Sequence, residues 1–249
     1  MKADPAAQQR LLDLQAIDTA IGQIDHRIKT LPEHALVATL VQRRNELGQR
    51  YVAAQTEVSD AETAQAKAEA DLEPVRQRLA RNQERSDKGQ VSDARALTTL
   101  QDEIAHLKKR IVDLEDLELE AMEALESSTR VRDGILAEKA DLDAEARAIV
   151  TKRDSQTADL TAEREAQVKK RVDVVASLPA GLVDLYEKVR ARGSGAGAAL
   201  LKARRCSGCG ITADPSAYER YVSAAADEVL RCEECDRILV RDPADLGAG

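Results

Sequence analysis

The chain of 249 residues has no Trp and no Phe; aromatics amount to 2%, all of them Tyr. Aromatic side chains carry much of the burial in compact domains, so their scarcity argues against one or two ordinary globules. No apolar run approaches the ~20 residues needed to span a bilayer. The opening "MKADPAAQQR" lacks the apolar centre of a secretory signal. Both absences lead us to expect a cytoplasmic protein without membrane partners. Only three histidines occur, His26, His34 and His106, scattered and without clustered carboxylates or thiols. No nucleophile motif stands out, and "GSGAGAA" (193–199) is not followed by the Gly-Lys-Ser/Thr of a phosphate loop. We therefore expect no enzyme, no catalytic residues and no small-molecule substrate.

What is abundant is charge, at 33% of residues, with Ala, Leu and Glu, the composition of long exposed helices and coiled coils. Leu14, Ile17, Ile21, Ile24, Ile28 and Leu31 alternate steps of three and four, the mark of a coiled-coil seam. Asp4 and Pro5 suit the start of that helix. At "TLPE", Thr30 and Glu33 have capping-box spacing, so a second helix is expected to begin there. It runs through Leu40, Leu47, Tyr51, Ala54, Val58, Leu72, Val75 and Leu79, with Pro74 expected to bend it. Periodicity fails over 82–95, where Gly89 can turn the chain and Ser92 or Asp93 can cap the next helix. From Leu97 the rhythm resumes to about Ala176, a helix about 120 Å long. The lengths match if 30–84 folds back on 94–148 and 5–29 lies along 149–176. A compact bundle of the same helices is the alternative, which the Ala-rich seams disfavour.

The four cysteines, Cys206, Cys209, Cys232 and Cys235, form C-x₂-C-x₂₂-C-x₂-C. Each pair can chelate one side of a tetrahedral ion, and Zn²⁺ accepts four thiolates. Reduced thiols in this spacing point to one structural zinc rather than to a redox dithiol, disulfides or an iron–sulfur site. Gly208 and Gly210 suit the first turn, while Asp236 stands where the second would favour Gly and is expected in left-handed backbone. "AALLKARR" and "RILVRD" read as strands around the thiols. The fold class is thus mainly α: a long antiparallel coiled-coil hairpin over 1–177 with its tip at 82–95, a short helix and Gly-rich connector over 178–199, and a small β zinc ribbon over 200–242.

The net charge of −8 hides blocks. Residues 102–145 carry acidic runs such as "DLEDLELE", whereas 161–205 is basic; both read first as solvated helix faces. Lys169, Lys170, Arg171, Lys202, Arg204 and Arg205 are the residues that would contact nucleic acid in a second reading, because phosphate contacts need only Lys and Arg. Base stacking lacks aromatics there, Tyr186 excepted. At the tip, Arg85, Asp87, Lys88, Asp93 and Arg95 are the candidate partner contacts.

"GQVSDARALTTLQDEIAHLKKRIVDLEDLELEAMEAL", "LPAGLVDLYEKVR", "CSGCG" and "CEECDRILV" occur in this order over nearly the whole chain. The chain resembles bacterial C4-type zinc-ribbon proteins with a long N-terminal coiled-coil hairpin. It departs from that family at Asp236, usually Gly, and Val240, usually Tyr. The resemblance implies an adaptor for protein clients, in some members linked to flagellar regulation through a sigma factor or messenger RNA and in others to type III secretion. The outline is also similar to RNA-polymerase secondary-channel regulators, in which case Asp87 and Asp93 would be the acidic tip.

Overall fold

The structure, a computed structural model, describes residues 1–193 and 195–242. Helix α1 (Pro5–Lys29) opens as the sequence predicts: Asp4 caps it by accepting the Ala6 amide at 2.8 Å, with Pro5 in the first turn. α2 spans Pro32–Asp87 and continues through Pro74, and α3 spans Ala94–Ala176. α4 (Ala180–Arg192) follows. Then come β1 (Ala198–Lys202), β2 (Arg205–Cys206), α5 (Pro215–Ser223), β3 (Leu230–Arg231) and β4 (Ile238–Arg241). Among the described residues no helix is long and apolar enough to cross a membrane.

One packed unit comprises 35–150, the two arms of a helical hairpin. Leu40, Leu47 and Ala54 of α2 bury against Ile135 and Leu142 of α3, and Leu72 buries against Ile111 and Leu114. Rim pairs Arg44–Asp143 (2.8 Å), Arg50–Glu138 (3.2 Å) and Arg76–Glu115 (2.7 Å) bridge the arms in the same antiparallel register. The turn is tighter than the predicted 82–95, because α2 runs to Asp87. Gly89 takes φ +62, and Asp93 caps α3 through the Ala96 amide at 2.8 Å. The small seam residues let the arms fill each other's surface within one chain.

The second unit comprises 1–34 and the chain from 151 onward. Here α1 runs along the last turns of α3, with Arg164–Asp25 at 2.7 Å and Arg27–Glu163 at 3.5 Å. The sheet order is β2-β1-β4-β3, with β1 parallel to β4 and the outer pairs antiparallel. Alternation along the inner strands sends Ala198, Ile238 and Val240 to one face, onto Leu11, Leu14, Leu182 and Tyr186. Ala199, Leu201 and Leu239 go to the other face, with α5 and the thiols. The N-terminus joins in: the Ala3 amide donates to the Asp227 carbonyl at 2.8 Å and the Val229 amide to the Met1 carbonyl at 3.0 Å.

Packing also groups 1–34 with the chain from 151 onward, because α1 and α4 are walls of the core that the sheet completes. Two expectations change. Strand β1 begins at Ala198, inside the predicted connector 178–199; of that connector, Ser194 lies outside the described residues. Gly197 is there for contact, since a Cβ would lie 2.7 Å from the Tyr186 ring. Finally, Thr30 and Glu33 form no capping box. The Thr30 hydroxyl donates to the His26 carbonyl at 2.8 Å, and the Glu33 side chain, 2% exposed, takes Lys152 of α3 at 3.0 Å.

A buried polar knot ties α1, α3, α4 and β1 together. Asp18 accepts from Arg171 Nε at 2.6 Å and from the Tyr186 hydroxyl at 2.8 Å. Gln15 Oε1 accepts the Gly197 amide at 2.7 Å. Burial, then the Asp18 hydrogen bond, holds the Tyr186 phenol well above its ordinary range. The folded state therefore binds that proton more tightly than the unfolded chain does. This contribution is complete below pH about 10 and is lost as pH rises beyond it. Melting curves from pH 8 to 11 should show a steeper alkaline decline for the wild type than for Tyr186→Phe. Parallel declines would place the proton linkage elsewhere.

Candidate metal centre

Two turns of the same design hold the thiols. In the first, the Gly210 amide donates to the Cys206 carbonyl at 2.8 Å and the Cys206 amide to the Ile211 carbonyl at 3.1 Å. In the second, Asp236 donates to Cys232 and Cys232 to the Arg237 carbonyl, each at 2.9 Å. The fifth residue of each turn has positive φ, +73 at Gly210 and +61 at Asp236, as the sequence leads one to expect. An Arg precedes each turn and fastens it. Arg205 Nε donates to the Gly210 carbonyl at 2.6 Å, and Arg231 Nε to the Asp236 carbonyl at 3.2 Å. The Arg231 guanidinium also pairs with the Asp236 carboxylate, which anchors the one non-Gly residue in this strained place. Gly208 has a packing reason: a Cβ there would lie 2.7 Å from Arg237 Cδ and 3.0 Å from the Ala199 Cβ.

The four Sγ atoms lie within 4.8 Å of one another, with Cys206–Cys235 and Cys209–Cys232 each at 3.9 Å. A tetrahedron with Zn–S bonds of ~2.3 Å has edges of about 3.8 Å, so the donor set fits zinc. The four thiols are free of disulfides. Before an ion binds, burial pushes the Cys206 thiol up and the Cys232 thiol up to about 12. At Cys235 burial acts in the same direction, but the Arg237 amide and neighbouring thiols outweigh it and draw the thiol down. Thiolate formation is thus coupled to metal capture. Cys206, Cys209, Cys232 and Cys235 together hold one structural Zn²⁺. Four protein ligands leave the ion no open position for water. The hollow beside the thiols, about 20 Å³, has room for a single water and none for a substrate.

The other sequence-selected residues are not gathered. Lys169 and Lys170 are exposed on α3, and Lys202 is exposed with Asp242 at 3.8 Å. Arg171 is held by Asp18 and Glu187. Arg204 bonds the Ala213 carbonyl at 3.2 Å and lies 5.8 Å from the Tyr218 ring centre, while Arg205 fastens its turn. At the tip, Arg85, Asp87, Lys88, Asp93 and Arg95 are all exposed; Lys88 pairs with Glu84 and Asp93 caps α3. His26, His34 and His106 are exposed.

Two features escaped the sequence reading. α5 lies inside the x₂₂ spacer, capped by Asp214 through the Ala217 amide at 2.9 Å, with Pro215 in its first turn. "ADP" at 213–215 repeats "ADP" at 3–5, the signal that predicted α1. Buried Arg241 donates to the carbonyls of Tyr221, in the last turn of that helix, and of Ala224, Ala225 and Ala226 just beyond it. Its partners are local to the fold and remote in sequence.

Comparison with known proteins covers both parts. The CT398-like coiled coil hairpin domain matches residues 14–194, and the C4-type zinc ribbon domain matches 205–239. Rv2229c of Mycobacterium tuberculosis is 33% identical over 97% of this chain and 98% of its own. A solved Mycobacterium smegmatis structure superposes with a TM-score of 0.84 at 34% identity, covering 97% of this chain and 100% of the other. CT398 from Chlamydia trachomatis shares the fold at a TM-score of 0.64 and 17% identity, over 95% of this chain and 98% of its own.

Proposed function

The chain belongs to the CT398-like coiled-coil hairpin family with a C-terminal C4-type zinc ribbon, and from that premise we propose that it is a non-enzymatic adaptor that binds partner proteins through the hairpin tip and the ribbon. The carrying observation is the metal centre itself. All four ligands are thiols and the adjoining hollow takes one water, so the ion organises a surface instead of activating a reactant. The exposed mixed charges at 85–95 supply a second surface, in which Asp93 caps α3 and Lys88 pairs with Glu84. The client classes that the family resemblance suggests, a sigma factor, a messenger RNA or a secretion component, are those to look for first.

Nucleic-acid binding through 161–205 has less to draw on. Of the six candidate contacts, Arg171, Arg204 and Arg205 are committed to intramolecular bonds and Lys202 lies beside Asp242, which leaves Lys169 and Lys170, with Lys188 and Arg192 also exposed elsewhere in the segment. The polymerase-channel variant loses one of its two tip carboxylates to the α3 cap.

The deciding experiment places a photo-crosslinking residue at Arg85, at Glu234 of the ribbon, or at Leu36 as a control, and captures proteins in native cells. Reproducible bands from Arg85 and Glu234 that are absent from Leu36 are the expected result. The same bands from all three positions, or none from either test position, would overturn the adaptor reading.

A further inference from the structure

The acidic run 112–126 is not uniformly polar. It holds seven carboxylates and no Lys or Arg, yet besides Leu117, 50% exposed on the opposite side of the helix, Val112, Leu119 and Met122 stand 55%, 57% and 46% exposed within it. Their offsets, seven and three residues, bring them to one side of α3, whereas Ile111 and Leu114 point into the seam with Leu72. Glu115, Asp116, Glu123 and Glu126 fall at the intervening i+3 and i+4 steps of that same side. Glu115 is tied to Arg76 at 2.7 Å and Glu126 to Arg130 at 3.5 Å. Asp116 and Glu123 have no salt bridge among the described residues.

Single exposed apolar residues are ordinary, but three along one face, rimmed by four carboxylates of which two have no cationic partner among the described residues, define a pattern with a complement. Nucleic acid or an anionic lipid surface would be repelled by it. A neutral apolar segment would strip water from the carboxylates without replacing it. A helix with an apolar stripe and flanking Lys or Arg satisfies both features at once. We propose that the α3 face from Val112 to Glu126 is a docking surface for a cationic amphipathic helix of a partner protein. The face is about 21 Å long at ~1.5 Å per residue, which matches a helix of about 14 residues. It is a third contact surface, separate from the tip and the ribbon, and does not depend on either.

The test uses the full zinc-loaded chain and a fluorescent Leu/Lys peptide of about 14 residues in heptad order, read by anisotropy at roughly 0.15 M salt. A scrambled peptide of identical composition serves as the comparison. The ordered peptide should bind, and the scrambled one about tenfold more weakly. Asp116→Asn with Glu123→Gln and Glu126→Gln should weaken binding about tenfold, as should Val112→Gln with Leu119→Gln and Met122→Gln. Asp141→Asn with Glu145→Gln and Glu165→Gln removes the same charge elsewhere and should change binding by less than about twofold. Circular dichroism that matches the wild type secures the fold of each variant. No binding of the ordered peptide would overturn the proposal. So would equal binding of the scrambled one, indifference to the apolar triple, or an equal loss in the charge control.

Discussion

Cys206→Ser is expected to empty the zinc site and unravel the sheet while leaving 35–150 intact. Serine offers a hydroxyl that stays protonated at neutral pH where the site needs a thiolate, and a C4 site left with three sulfurs loses its closed tetrahedron. Structural zinc contributes about 10–16 kcal/mol of binding energy in small peptide domains, and there that energy is folding energy. The same dependence applies here because the ion-side cluster is thin: Ala199, Leu201, Ala217, Tyr221 and Leu239 are its buried members apart from the thiols. The loss should then reach the other face of the sheet. Ala198, Ile238 and Val240 lean on Leu11, Leu14, Leu182 and Tyr186, so α1 and α4 lose their cover when the strands loosen. Zinc content should fall from one per chain to near zero. Hydrogen exchange should accelerate at 198–241 most, in α1 and α4 less, and in 35–150 not at all. Retained zinc, or equal acceleration through 35–150, would refute this division of the chain.

The same partition explains what could be read from sequence. Seam residues such as Leu40, Leu47 and Leu114 announce themselves, because the heptad is a local period and its partner is another stretch of the same period. The thiol pairs are legible for a related reason: the ligand chemistry sits within each C-x₂-C, and a tetrahedral ion demands that the pairs meet. Asp236 could be assigned positive φ because turn geometry is set by neighbours in the chain. The failures share the opposite property. Glu33 has the spacing of a capping residue, but Lys152 offers its carboxylate a stronger interaction from far along the chain. Arg171 reads as one more cation in a basic block until Asp18 and Glu187 surround it. Gly197, Ala198 and Ala199 look like linker residues, but a Cβ on Gly197 would meet Tyr186 and both alanines are buried in the sheet. Only α5 was legible and missed, since Asp214–Pro215 repeats the cap that marks α1.

Asp18→Ala tests the knot that makes α1 part of this core. The Asp18 side chain is 2% exposed and faces Arg171 at 2.6 Å, Arg190 at 3.6 Å and the Tyr186 hydroxyl at 2.8 Å. Removing one member of a buried ion pair typically costs about 3–5 kcal/mol, because its partner stays buried and uncompensated. Arg171 keeps Glu187 and is 23% exposed, so the lower end, about 3 kcal/mol, applies here. The effect should be confined to 1–34 and 151–242, read as faster exchange in α1 and α4 with 35–150 unchanged. Pairing Asp18→Leu with Arg171→Leu separates a cost of orphaned charge from a cost of lost attraction. If the charge left behind is the dominant penalty, the double apolar variant should recover at least half the loss. If Asp18→Ala shifts stability by less than about 1 kcal/mol, the knot is peripheral, and apolar contacts such as those of Leu11 and Leu14 carry most of the hold on α1.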